Sequence, residues 1–291
     1  MSQSRRGPIL VVMFCAAMWG FWWFPVSLFE QAGLSGPWIG FAMSASALPI
    51  GLLWMLTRSG RLSGRAVVGA LLVGLAITLY AMAASYTDFI RAVLLFYLAP
   101  AWSTLIEVFF FGRRWDLRTS MAIGFSLIGV ILISRGEVTF EGLGAVGDWM
   151  ALGSGLSWSV GIALVFAARQ AEVSRVMVLS ALGGVISALL IAALDGTLAK
   201  PLPFSTISEA PQAYLFAALY VGIILVGTMW GAFRLAPAVM TYLLSIEILG
   251  GVFSSAVFLD EQFGLFEIGG TVFVIGAVLI EVLWTPATKK I

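Results

Sequence analysis

The sequence predicts an all-α polytopic membrane protein: ten transmembrane helices arranged as two inverted five-helix repeats, with both termini in the cytoplasm. Three observations predict this. The composition is far too apolar for a water-soluble fold, apolar runs of membrane length recur along the whole chain, and basic residues cluster in alternate connections. Hydrophobic residues make up 60% of the 291 positions and charged residues 11%, against roughly 45–50% and about 25% in soluble domains. The chain has no histidine and one cysteine, Cys15. It therefore lacks the commonest metal ligand and the usual near-neutral base, and it has neither an intrachain disulfide nor a thiolate metal site. The net charge is +1 and no segment forms a basic face, which excludes a nucleic-acid binder.

The first apolar segment spans 9–29 and follows Arg5 and Arg6. It is longer than the roughly 7–15 residues of a signal-peptide core and has no small-x-small cleavage site, so it is expected to be a retained membrane helix. Nine more follow at 36–57, 66–84, 89–111, 117–134, 146–168, 176–194, 213–233, 239–259 and 265–284. At 1.5 Å per residue, each is long enough to cross a hydrocarbon core of about 30 Å. They must be helices, because backbone groups in lipid have to be paired within the segment. With the N-terminus in the cytoplasm, thirteen of the sixteen basic residues fall inside, and only Arg91, Arg135 and Lys200 fall outside. Such a bias sets orientation. The longest connection, 195–212, is external and contains prolines. No soluble domain fits anywhere.

The two halves, 1–138 and 139–291, correspond. Leu156-Ser157-Trp158-Ser159 in the sixth span answers Ala17-Met18-Trp19-Gly20 in the first. Ile275-Gly276-Ala277-Val278-Leu279 in the tenth answers Ile128-Gly129-Val130-Ile131-Leu132 in the fifth. Tyr97-Leu98-Ala99-Pro100 and Ser245-Ile246-Glu247-Ile248 occupy matching places in the fourth and ninth, and Phe111-Gly112-Arg113 matches Leu259-Asp260-Glu261. Five spans per half is an odd number, so the halves are inverted in the membrane. A site near the midplane goes with that architecture.

These features resemble the drug/metabolite transporter (DMT) superfamily, in its EamA-type branch. The aromatic load is most similar to YddG-type exporters of aromatic amino acids. The resemblance covers essentially the whole chain. It implies a bacterial inner-membrane exporter of small metabolites, working by alternating access, with the fifth and tenth spans peripheral and no cofactor. Many members carry Gly-Glu at the end of the fourth span and Glu-Pro in the ninth. This chain has Gly112-Arg113 and Glu247-Ile248.

Charges inside a membrane are costly and suggest function. Glu247 lies near the middle of the ninth span and is suited to meet a substrate ammonium or to take up a proton. The alternative is a neutral Glu247 that serves helix packing. Glu107 lies near the inner end of the fourth span, within reach of Arg113 and Arg114. Glu281 is expected at the cytoplasmic interface, and Asp88 with Arg91 as an interfacial ion pair. An aromatic belt explains rings at helix ends, here Trp38, Trp115 and Trp284, and not the mid-span rings. Tyr80, Tyr97, Trp102, Trp158 and Tyr242 are therefore candidates to line a substrate cavity, since buried Tyr and Trp seek partners for their polar tips.

In the stretch 19–25 (WGFWWFP), Trp19 is deepest and has Trp158 as its repeat partner. Trp22, Trp23 and Phe24 are expected toward the outer interface, with Pro25 bending the last turn. Thr228 matches Tyr80 in the repeat and Ser245 lies beside Glu247. Either hydroxyl is suited to a carboxylate or to its own helix backbone. Ser180, Gly184, Ala188 and Ala192 read as a packing stripe. The candidate cavity is thus Trp19, Tyr80, Tyr97, Trp102, Trp158, Thr228, Tyr242, Ser245 and Glu247, with no catalytic and no metal-ligating residue.

The reading is a transporter for aromatic or other apolar amino acids, with the lipid bilayer as its other partner; a monomer is compatible with it. A drug, polyamine, sugar conjugate or other organic cation is the competing cargo. An intramembrane enzyme lacks a nucleophile–base set or metal ligands, no Walker A pattern supports ATP drive, and the spans are too apolar for a channel pore.

Overall fold

The computed structural model describes residues 3–83, 86–87, 89–133, 145–168, 171–199, 204–258 and 264–284, and among them the chain is helical without a β-strand. The helices are α1 (Gln3–Trp19), α2 (Trp23–Gln31), α3 (Pro37–Leu56), α4 (Gly64–Ala83), α5 (Phe89–Phe96), α6 (Ala99–Phe110) and α7 (Leu117–Ile133). They continue with α8 (Val146–Ala167), α9 (Val173–Leu194), α10 (Phe204–Glu209), α11 (Pro211–Ala232), α12 (Pro237–Leu244), α13 (Glu247–Phe258) and α14 (Leu265–Trp284). Among the described residues six stretches are long and apolar enough to cross a membrane: Arg6–Gln31, Pro37–Leu56, Gly64–Ala83, Val146–Ala167, Val173–Leu194 and Pro211–Ala232. The chain is a multi-pass membrane protein. Asp88, with its pairing to Arg91, and Asp260-Glu261 lie outside the described residues, as does the side chain of Trp284.

Three of the expected spans are broken, each at one tightened turn. In the first, Pro25 has no N–H and its ring crowds the carbonyl four residues back, at Phe21. The helix tightens just there: Phe21, Trp22 and Phe24 N–H each donate to the carbonyl three residues earlier. The break therefore lies at 20–22, a turn before the proline. In the fourth span, Pro100 acts in the same way on Phe96, the last residue of α5, and Leu98 N–H donates to Leu95.

The ninth span has no proline at its break, yet α12 ends at Leu244 and α13 starts at Glu247. Here hydroxyls bond back to their own helix. Thr241 donates to the Pro237 carbonyl at 2.9 Å and Ser245 to the Thr241 carbonyl at 3.4 Å, a habit that bends helices. Ile246, Ile248 and Leu249 N–H then shift to acceptors three residues back.

The long helices pack closely. α4 runs along α8, α9 along α3 and α4, α11 along α3 and α1, and α7 along α14. Small residues set the distance. A Cβ added at Gly69 would lie 2.8 Å from the Gly161 carbonyl oxygen, and one at Gly161 2.9 Å from that of Gly69. The stripe Ser180, Gly184, Ala188 and Ala192 faces inward against α3 and α4. Apolar side chains cover the outside. On α14, Ile268, Val272, Ile275, Leu279 and Leu283 form one exposed stripe while Val274, Ala277, Val278 and Glu281 are buried, the division a lipid-facing helix needs. Two core clusters meet at the centre, and Trp19 and Ile77 pack against both.

Candidate functional site

The breaks bring three turns together. A Cβ on Gly20 would lie 2.3 Å from Gly251 N and 2.4 Å from the Glu247 carbonyl oxygen, and one on Gly250 2.4 Å from the Ala17 carbonyl oxygen. Without those side chains, the end of α1 lies directly against the first turn of α13 and holds Glu247 next to Trp19. From the third turn, Tyr97 O–H donates to Glu247 Oε1 at 2.6 Å, the length of a charge-assisted O–H bond. Tyr97 is buried and Glu247 half-buried. No basic side chain pairs with Glu247 among the described residues. Tyr80, Tyr97 and Tyr220 all lie within electrostatic range of its carboxyl.

Rings extend from this carboxyl in two directions. Tyr80 lies against Phe96 with centroids 4.4 Å apart, and Phe96 edge-on to Tyr97 at 5.6 Å. On the other side Trp19 stacks on Trp22 at 4.5 Å and 28°. The tightened turn explains this, since residues i and i+3 eclipse in 3₁₀ geometry. Trp22 continues to Tyr220 at 6.3 Å, and Tyr220 O–H donates to the Met18 carbonyl. Trp22 also walls an apolar recess with Val26, Ile39, Met43, Ile77 and Ala81. Trp22 is thus half-buried and turns toward the ring group rather than outward. Of its neighbours in the sequence, Trp23 Nε1 donates to Ser254 Oγ at 3.0 Å and Phe24 packs edge-on to Phe216 at 5.3 Å.

Of the nine candidates, the structure groups Trp19, Tyr80, Tyr97 and Glu247. Trp158 is buried in the core cluster against which Trp19 and Phe96 pack, so it backs the group. Tyr242 points elsewhere: it packs with Ala122, Ala238, Ala277 and Ile280 toward α7 and α14. Ser245 spends its hydroxyl on its own helix. Trp102 and Thr228 each bury an unpaired polar atom, and neither is joined to the Glu247 group by a hydrogen bond or ring contact. Sequence reasoning missed Tyr220, Phe96 and the inward turn of Trp22. For Tyr220 the signal was present, as another polar-tipped ring inside an apolar span. Trp38, assigned to the belt, is 5% exposed and sits in the core, whereas Trp115 is exposed as expected.

A second acidic centre lies where α6, α7, α12 and α14 meet. Glu107 and Glu281 are 0% and 2% exposed, so Glu281 is packed within the protein rather than open to solvent. Gly112, at φ 68°, takes the left-handed conformation that ends helices and turns the chain back, so that Arg113 N–H donates to the Glu107 carbonyl at 3.1 Å. The Arg113 guanidinium then reaches Glu107 Oε2 at 3.0 Å and both oxygens of Glu281 at 2.7 and 2.9 Å. It also donates to Thr119 Oγ1 at 3.2 Å, while Glu107 Oε1 accepts the Ala238 N–H at 2.9 Å. Among the described residues no group of His, Cys, Asp and Glu is placed to hold a metal ion.

Comparison with known proteins agrees with this architecture. No curated protein matches the chain. Twenty-eight solved chains do. One, described only as "Crystal structure of protein", is 17% identical, covers 96% of this chain and 98% of its own, and superposes with a TM-score of 0.74. At that identity the likeness is one of fold. Residues 6–135, just under half of the chain, match the EamA-like transporter family.

Proposed function

We propose that this protein exports small metabolites, aromatic and other apolar amino acids foremost, by alternating access around Glu247. One observation carries the reading: a half-buried carboxyl whose one hydrogen-bond partner among the described residues is Tyr97, placed where three broken helices meet. Intramembrane carboxylates are costly and mark transport pathways, and broken helices near the midplane form such sites in transporters. In this reading α1 with α2, α5 with α6 and α12 with α13 are single spans, which makes ten in all. Packing supports an inverted repeat: α4 on α8 answers α11 on α1, while α3 with α9, α7 with α14 and α6 with α12 pair across the two halves. Both termini are cytoplasmic and the membrane is the bacterial inner membrane. The substrate ammonium meets Glu247, and Trp19, Trp22 and Tyr80 flank its apolar part. Trp158, Trp102, Thr228, Tyr242 and Ser245 support the cavity walls in the cycle.

A second reading, the export of organic cations, is favoured by the aromatics about one acid, with no basic side chain paired to it among the described residues. Aromatic faces attract cations. Flux assays on purified protein in liposomes separate the two. The amino-acid reading expects saturable flux of phenylalanine and tryptophan, reduced at least about 10-fold by Glu247→Gln, the loss of one charged hydrogen bond. Flux of quaternary ammonium compounds without amino-acid flux selects the second. Wild-type flux in Glu247→Gln removes the carboxyl from the mechanism.

A further inference from the structure

The ninth span is cut into halves with very different anchors. The start of α12 is tied by the Ala238 N–H to Glu107, Glu107 to Arg113, and Arg113 bidentately to Glu281 on α14 and to Thr119 on α7. A single planar guanidinium therefore joins α6, α7, α12 and α14. α13 has no such tie among the described residues. It rests on the Tyr97 bond to Glu247 at its first residue, on the glycine crossing with α1 and on Ser254, which accepts from Trp23 Nε1 at 3.0 Å and donates to the Gly20 carbonyl at 3.2 Å.

Glu247 sits at the junction, as the first residue of the loosely held half. Glu107 and Glu281 are both buried and both accept from Arg113, so one guanidinium serves two acids. Only a rigid fork serves both acids at once; a lysine ammonium, a compact point charge on a flexible stem, cannot reproduce bidentate geometry.

We propose that Arg113 is a positioning residue for transport: it fixes α6 and α12 to the α7/α14 pair, so that α13 moves against a stationary half and carries Glu247 with it. This rests on the transport reading. Arg113 touches no substrate and acts on the rate of the conformational step.

Hydrogen exchange on the purified full-length protein tests the anchoring independently of any cargo. In wild type, the amides of α12 should exchange at least about 10-fold more slowly than those of α13, as expected when one segment opens locally and the other does not. Arg113→Lys should bring α12 to within about 3-fold of α13 and leave α13 unchanged. Unchanged α12 exchange in both Arg113→Lys and Arg113→Gln would overturn the proposal, as would equal loosening of both halves, which signals plain destabilisation.

A second arm reads function in liposomes, per folded molecule. Arg113→Lys should lower turnover about 10-fold and leave the half-saturating concentration within about 2-fold, the pattern of a residue outside the binding step. Wild-type turnover would overturn the coupling. Failure of the transport reading itself shows separately, as Glu247→Gln behaving like wild type, and the exchange arm still gives its answer.

Discussion

Glu107 and Glu247 are both acids within apolar helices, and the fold treats them in opposite ways. Glu107 is fully buried, and each of its oxygens has a donor, one from the Ala238 backbone and one from Arg113. Glu247 is half-buried and has Tyr97. Removing a charge from water costs several kcal/mol, offset only by good pairing. For Glu107 that cost is offset within the protein; for Glu247 most of it is left open. A half-buried acid kept short of partners is free to bind something else. The difference teaches that two acids within apolar helices are told apart by the number of their satisfied oxygens, and the proposed transport role falls on the one left short.

The largest effect should come from the well-partnered acid. Glu107→Ala leaves the Ala238 N–H without an acceptor and Arg113 with one acid. Breaking a buried pair by removing one partner costs about 3–5 kcal/mol. Thermal unfolding in detergent should show it as a large drop in midpoint, whereas Glu247→Ala should shift the midpoint little. Equal destabilisation by the two would break the comparison.

Much of the fold was legible because it follows from apolar length. The expected span 146–168 is α8 (Val146–Ala167), and 117–134 is α7 (Leu117–Ile133). The breaks were harder. Pro25 signals a distortion but acts one turn earlier than its own position, and the turn at Ser245 comes from Thr and Ser hydroxyls rather than from proline. Glu247 and Tyr97 could each be singled out as polar groups in apolar spans, but their bond joins residues 150 positions apart, which no local pattern encodes. The same holds for Glu281. Its place near a helix end suggested an interface, and only the fold brings Arg113 to it. The stacking of Trp22 on Trp19 follows from the tightened turn at 20–22, which a regular helical pattern does not show.

A sharper version of the comparison removes the lone partner. Tyr97→Phe deletes the single hydrogen bond to Glu247 and keeps the ring that packs on Phe96. A bond to a charged group is worth about 1.5–3 kcal/mol. Because the acid is half-buried, water replaces part of that, and stability should fall by about 1 kcal/mol or less. Flux should change more than stability, since Tyr97 fixes where the carboxylate oxygen points. Saturation kinetics would show it. An unaltered half-saturating concentration and unaltered turnover would mean that Glu247 holds its position without Tyr97.

The smallest effect belongs to a third acid at the edge of the anchored centre. Asp116 caps α7: its Oδ1 accepts the Thr119 N–H and the Thr119 hydroxyl, each at 2.9 Å, and that hydroxyl in turn accepts from Arg113. The Thr119 backbone bond, first among the causes, holds the Asp116 carboxyl below its usual value. A depressed folded-state value means stability that is present above the ordinary aspartate range, near about pH 4, and that is lost as pH falls through the lower, folded value. Asp116→Ala should therefore cost about 1 kcal/mol at neutral pH, the usual loss of a cap. The gap to wild type should narrow in acid as the native carboxyl protonates. Flux should stay at the wild-type level. If Asp116→Ala instead slowed flux as much as Glu247→Gln, the anchored centre would be part of the moving machinery, and the contrast between the two acids would fail.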